Sequence, residues 1–201
     1  YIRMILLETE DFMRLRALAK INLGLDILRK REDGYHEVRM IMQTIQMYDV
    51  LEMKRVRKPG ISLSVNYSYI PNDERNLVYK AAKLLMDEFQ VKGGVDIHLE
   101  KFIPVAAGMA GGSSDAAAAL VGINRMFQLG LTKRQLMERG VQIGADVPYC
   151  VMRGTALAEG IGEKLTSLPG VPMCYVLIGK PGINVSTKFV YGNLHLDEVT
   201  D

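Results

Sequence analysis

Apolar and polar residues alternate through much of the first third of the chain, and a period of two marks a half-buried strand. Arg14 to Leu28 is rich in Leu and Ile with polar interruptions, and Val38 to Val56 reads the same way. Asp33-Gly34 between them is a strong turn signal, so the pattern predicts a long antiparallel hairpin. Ile61, Leu63 and Val65 share one face of a further short strand. The period then changes. From Asn76, apolar residues fall at Leu77, Ala81, Leu84, Leu85 and Phe89, which is helical spacing, and Gly93-Gly94 ends the segment. Val95, Ile97 and Leu99 alternate with Asp96, His98 and Glu100, a second half-buried strand. A run of glycines and small residues leads into an alanine-rich helix that Gly130 stops. Thr132 and Gln135 form a capping box for a helix through Met137 to about Gln142. Pro148 predicts a break at GADVP, with Val147 forced out of helical geometry. Thr155 to Glu159 and Tyr175 to Ile178 read as strands. Strands, helix, strand and helices in that order, without βαβαβ repetition, predict an α+β fold.

Composition narrows the class without changing the fold. With 201 residues, 48% hydrophobic and 24% charged, the chain has material for a core that needs no disulfide or structural metal. A formal charge of +2 excludes a strongly basic nucleic-acid tail. Cys150 and Cys174 are too far apart for a CxxC site and fit a reducing compartment as small hydrophobes. No apolar run approaches the ~20 residues of a membrane span; the longest candidate, Val105 to Phe127, is broken by glycines, Ser113, Ser114, Asp115 and Arg125. A cytoplasmic protein with no membrane or nucleic-acid partner is expected. Glu8, Glu10 and Asp11 fit neither a transit nor a signal peptide. Patterned sequence is expected to begin at Met13, with residues 1–12 an extension upstream of a natural start.

The strongest chemical signal is Gly108-Met109-Ala110-Gly111-Gly112-Ser113-Ser114, running straight into Ala116–Ala119. Small residues let backbone approach a ligand, and the N–H groups of the following helix suit a phosphate. The same residues also suit a tight strand-to-helix turn, and their spacing leaves both readings open. Neither a Walker A loop nor a GxGxxG fingerprint is present. Asp146 lies in a turn, where an Asp usually caps backbone N–H groups and sometimes carries chemistry. Asp115 opens the alanine-rich helix, where a carboxylate complements the dipole without a catalytic reason, so Asp146 is the preferred acidic residue for chemistry. Lys20 and Asn22, at i and i+2 in an otherwise apolar strand, share one face and one potential site. His36 reads as a loop histidine, and neither His98 nor His195 has metal-ligand spacing around it.

Together, AKINLGLDILRKREDGYHEV, RNLVYKAA, IPVAAGMAGGSSDAAAAL, GADVPYC and ALAEGIGEKL resemble the 4-diphosphocytidyl-2-C-methyl-D-erythritol kinase family of the GHMP kinase superfamily, in order, from Met13 to about Tyr191. The glycine-serine segment points only to the superfamily; AKIN, DGYH and GADVP point to this member. The resemblance implies ATP-dependent phosphorylation, with Mg²⁺, of the 2-hydroxyl of 4-diphosphocytidyl-2-C-methyl-D-erythritol in the non-mevalonate route to isoprenoid precursors. It implies a ribosomal-S5-domain-2-like ATP-binding domain over 13–165 and the incomplete start of a ferredoxin-like domain over 166–201, so that the chain is expected to be cut short at its C-terminus. By the family pattern, Pro104, Val105, Ala106, Ala107, Gly108, Met109, Ala110, Gly111, Gly112, Ser113 and Ser114 wrap the ATP phosphates, and Asn76 lies near the nucleoside. Asp146 is the catalytic carboxylate with Lys20 beside it, Asn22 meets the methylerythritol, Tyr35 and His36 hold the cytosine, and Tyr191 stacks on its other face. Ala106, Ala107 and Ala110 stand where some relatives have glycine, and Ser114 is a weak candidate for a metal ligand. The competing readings are a homoserine- or mevalonate-type kinase, which has no cytosine for DGYH to read, and a nucleotide-binding fragment without turnover. An RNA-binding S5-like domain is disfavoured by the charge.

Overall fold

The computed structural model describes residues 4–182 and Val190. A short edge strand, β1 (Ile5–Glu8), pairs antiparallel with β2 (Phe12–Lys30). β2 turns at Asp33-Gly34 into β3 (His36–Val56), and these two long strands are the frame of the sheet. Gly34 takes a φ of 83°, which the tight hairpin turn requires and a side chain would resist. β4 (Gly60–Val65) runs parallel to β5 (Gly94–Glu100), which pairs antiparallel with the second half of β3. The first half of β3 pairs on the same edge with β6 (Thr155–Gly160), and β7 (Lys164–Leu168) pairs with β6. One mixed sheet of seven strands results, ordered β1-β2-β3-β5-β4 with β6 and β7 branching from β3.

Among the described residues there are four helices, α1 (Leu77–Glu88), α2 (Gly111–Met126), α3 (Lys133–Gly140) and α4 (Val147–Met152); α1, α2 and α4 meet the sheet and α3 packs mainly on α4. α2 lies against β2 and β3 and buries Ala116 through Leu120, Ile123 and Met126. Gly122 sets how close it lies, since a Cβ there would stand 2.3 Å from the Met53 sulfur. The sheet answers with Met13, Leu15, Ala17, Leu51 and Met53, none more than 2% exposed. Each large side chain so buried contributes about 1.5–3 kcal/mol. Arg14 and Glu52, on the opposite face, pair at 3.3 Å across the strands in solvent.

The predicted hairpin, the strand at Ile61 to Val65, the helix after Asn76, the strand at Val95 to Leu99 and the Thr132 capping box are all present. Four details differ. Ordered pairing begins before Met13, because Ile5–Glu8 adds an edge strand and Met4 enters the core at 5% exposure. Val147 is helical and fully buried, since Pro148 sits in the first turn of α4, where the missing N–H loses no intrahelical bond. Tyr175 to Ile178 forms no strand: a short apolar run cannot order itself with no ladder partner among the described residues, and Tyr175 and Leu177 are fully exposed. β7, which carries little apolar pattern, goes unanticipated in the sequence.

Candidate active site

Residues 101–110 cross from β5 to α2 along the floor of a cleft of about 1720 Å³. The crossing is pinned at several points. Asp49 Oδ1 accepts the N–H groups of Phe102 at 2.5 Å and Ile103 at 2.7 Å. Further on, Lys20 N–H donates to the Met109 carbonyl at 3.1 Å. That bond is available because the β2–β3 register slips between Leu18 and Lys20, where β3 carries extra residues; such irregularities re-aim the groups beside them. Ala106, Gly108 and Ala110 all take positive φ, at 54°, 70° and 56°. Alanine in this region costs about 1 kcal/mol relative to glycine. Ala110→Gly is therefore expected to raise the melting temperature by about 2–4 °C in a thermal unfolding scan.

Ala110 is also the N-cap of α2 and supplies no side-chain bond. Its carbonyl accepts from Ser114 N–H at 2.8 Å, the first turn of the helix ladder. The N–H groups of Gly111, Gly112 and Ser113 thus have no intrahelical acceptor, and these three residues line the cleft. The arrangement suits an anion with several oxygens. Ser114 is placed otherwise. Its hydroxyl turns inward, donating to the Leu18 carbonyl at 2.5 Å with Cys150 Sγ beside it at 3.3 Å, and it does not line the cleft. Burial pushes the Cys150 thiol up to about 12, so the reactive thiolate is scarce at pH 8. Alkylation at pH 8 should accordingly modify exposed Cys174 in the folded protein and reach Cys150 only after denaturation, read as labelled peptides by mass spectrometry.

Across the loop stand Lys20, Asn22 and Asp146, all lining the same cleft. Lys20, 5% exposed, donates through Nζ to Asn22 Oδ1 at 3.2 Å and lies 3.8 Å from Asp146 Oδ2. The shared face expected at i and i+2 is thus present. Asp146 is the N-cap of α4, yet its side chain makes no capping bond and is about one-third exposed. The ordinary reason for an Asp in a turn is therefore absent, and its carboxylate is turned to an ammonium at the cleft wall.

Tyr35, His36 and Asn76 line the cleft as well. Tyr35 is 60% exposed beside the hairpin turn, where its N–H donates to Asp33 Oδ1 at 3.1 Å. The Asn76 amide is occupied locally: its oxygen caps α1 at Val78 N–H, 2.9 Å, and its nitrogen donates to the Pro71 carbonyl at 2.7 Å. Tyr191 lies outside the described residues.

Sequence reading missed the groups beneath the loop. Lys101, the residue after β5, is buried and bridges two carboxylates, Asp49 and Asp115, the latter at 2.6 Å. Burial draws the Lys101 ammonium's pKa down, but the two carboxylates outweigh it and leave it raised. Burial holds the Asp115 carboxyl well above the usual range, against the pull of Lys101 and with the help of Asp49. Asp49 sits in an alternating strand and Lys101 among apolar neighbours, so a charge at a core position was the one available signal.

A family profile described as GHMP kinases N terminal domain matches residues 76–154, which include Asn76, the loop and Asp146. The chain is 58% identical over 189 residues to the 4-diphosphocytidyl-2-C-methyl-D-erythritol kinase of Lachnospira eligens, an alignment covering 94% of this chain and 66% of that protein. It superposes on a crystal structure of 4-(cytidine 5'-diphospho)-2C-methyl-D-erythritol kinase with a TM-score of 0.78 and 33% identity, covering 94% of this chain and 67% of the other. The chain belongs to the 4-diphosphocytidyl-2-C-methyl-D-erythritol kinase family. A homoserine kinase from Cytophaga hutchinsonii superposes with a TM-score of 0.68 at 16% identity, covering 92% of this chain and 61% of the other, a likeness of fold alone. Within the kinase family, the α+β sheet described above is the expected frame, and the chain spans 66% of the length of the Lachnospira relative. No helix among the described residues is long and apolar enough to cross a membrane.

Proposed function

We propose that the whole protein transfers the γ-phosphoryl group of ATP to the 2-hydroxyl of 4-diphosphocytidyl-2-C-methyl-D-erythritol, in the non-mevalonate route to isoprenoid precursors. The observation that carries the reading is Lys20 Nζ 3.8 Å from an uncapped Asp146 carboxylate, in one cleft with the free N–H groups at the start of α2. The first pair suits an alcohol nucleophile, the second a polyphosphate. The name shared by close relatives supplies the acceptor.

In this reading the substrate hydroxyl oxygen attacks the γ-phosphorus, its proton passes to Asp146, and the bond to the bridging oxygen breaks so that ADP departs with the electron pair. Phosphoryl transfer has a loose transition state, so alignment and charge neutralisation outweigh forceful deprotonation. Lys20 offsets the alkoxide charge as it develops, and Asn22 orients Lys20 and meets the methylerythritol. The backbone from Pro104 to Ser113 wraps the phosphates, Ser114 holding the loop to β2 from behind. Asn76 fixes the start of α1 beside the nucleoside, and Tyr35 and His36 hold the cytosine. Tyr191 is assigned the opposite face of that base on the resemblance alone.

Among the described residues, no group of three or more His, Cys, Asp or Glu is placed to hold a metal ion. Asp146 is the cleft carboxylate that would face Mg²⁺ bound with ATP, and the ion would supply neutralisation of phosphate charge. The domain reading is an S5-like ATP-binding unit over 13–165 followed by the start of a ferredoxin-like unit over 166–201, although that division falls inside β7.

The test is ADP release by the whole protein with ATP and each of three acceptors. The cytidylyl-methylerythritol substrate should support turnover, while mevalonate and homoserine should stay at the no-acceptor background. Comparable rates with either of the latter would sink the substrate assignment.

A further inference from the structure

The two ends of the loop are tied together beneath it by one buried ammonium. Lys101 Nζ donates to Asp115 Oδ2 at 2.6 Å and also to Asp49. Asp115 belongs to α2, just after the loop, and Asp49 holds Phe102 and Ile103, just before it. A single chain of bonds therefore runs from the helix through Lys101 to β3 and back to the loop's first residues. Its centre is close under the junction: a Cβ on Gly111 would stand 3.1 Å from Lys101 Nζ. Asp49, Lys101 and Asp115 are 0%, 5% and 2% exposed, so water does not substitute for any of these bonds.

We propose that Asp115 is a positioning residue that, through Lys101, holds the glycine-rich loop in the shape that receives a nucleoside triphosphate. This rests on the reading of the loop as the nucleotide site. Asp115 Oδ1 is buried and has no hydrogen-bond partner among the described residues, so its hold on Lys101 runs through Oδ2. Burial holds its carboxyl well above the usual carboxylate range. What Lys101 takes from Asp115 is an acceptor of that shape at that place, and an amide oxygen would serve the same ammonium. A dipole-complementing acid, the reading suggested by its place in the sequence, would be ionised and exposed, and Asp115 is buried.

Asp115→Asn and Asp115→Ala in the whole protein separate the possibilities, read by hydrogen exchange of amides 104–113 and by ATP affinity in calorimetry. Asparagine keeps the shape and the acceptor, so both readouts should stay within about threefold of wild type. Alanine leaves the ammonium one acceptor short; loop exchange should quicken and ATP affinity weaken, each by about tenfold, the scale of one buried charge-assisted bond. Loosening by asparagine equal to that by alanine would overturn the proposal, as would a lower melting temperature for Asp115→Ala with loop exchange and affinity unmoved. Should the alanine variant fail to fold, the asparagine variant still decides, because a loosened loop there contradicts a role that needs only an acceptor of that shape. Wild-type protein without ATP affinity would defeat the kinase reading, while the exchange measurement would still score the loop.

Discussion

Asp146→Asn is expected to lower turnover at least ~100-fold while leaving ATP affinity within about threefold of wild type, the scale of losing one acid–base group. The substitution keeps the side chain's size and removes its ability to take a proton. Little else should change. Asp146 makes no capping bond to α4, so the helix loses no N-terminal partner, and a side chain about one-third exposed leaves little buried polar surface to be orphaned. The loop N–H groups assigned to the phosphates belong to α2 and are untouched. Steady-state turnover against an ATP titration separates the two quantities. A variant that kept near-normal turnover would remove Asp146 from the chemistry and return it to the ordinary role of a turn residue.

The parts of this molecule that could be read from the sequence are those with a local cause. Alternation around Asp33-Gly34 gave the long hairpin, and Thr132 with Gln135 gave a helix start that the structure repeats bond for bond. The juxtaposition of Lys20 with Asp146 was legible only through the family resemblance, because 126 positions separate them and no spacing rule spans that distance. A short apolar run misled at Tyr175 to Ile178, since a strand is a property of a pair and not of a segment. Pro148 misled at Val147 for the opposite reason: the rule for a residue before proline is local, and burial of Val147 against Gly140 of α3 overrode it. Asp115 shows the limit most clearly. Its place at the start of a helix suggests a solvated, dipole-complementing acid, whereas the fold buries it on Lys101 from a different element. Only the tertiary partner distinguishes the two.

Lys20→Met is expected to lower turnover by about 10²–10³-fold, the cost of removing one preorganised charge from a developing oxyanion, with much less effect on stability. A buried lysine is not in itself a stabilising feature, because desolvating its ammonium offsets much of what its partners return. Methionine fills a similar volume at this buried position and brings no charge into it. The partner left behind decides the sign. Asp146, with about one-third of its side chain exposed, can be hydrated when the ammonium is gone, and Asn22 gives up one acceptor bond of 3.2 Å. The Lys20 N–H bond to Met109, which ties β2 to the loop, is a backbone bond and survives the change. Folding and catalysis should therefore separate in this one variant. A melting temperature within about 3 °C of wild type, beside a turnover lowered by two orders of magnitude or more, is the expected pair of results. Equal losses in both would mean that Lys20 is a packing residue whose contact with Asp146 is incidental, and the alkoxide would then need another cation from the cleft.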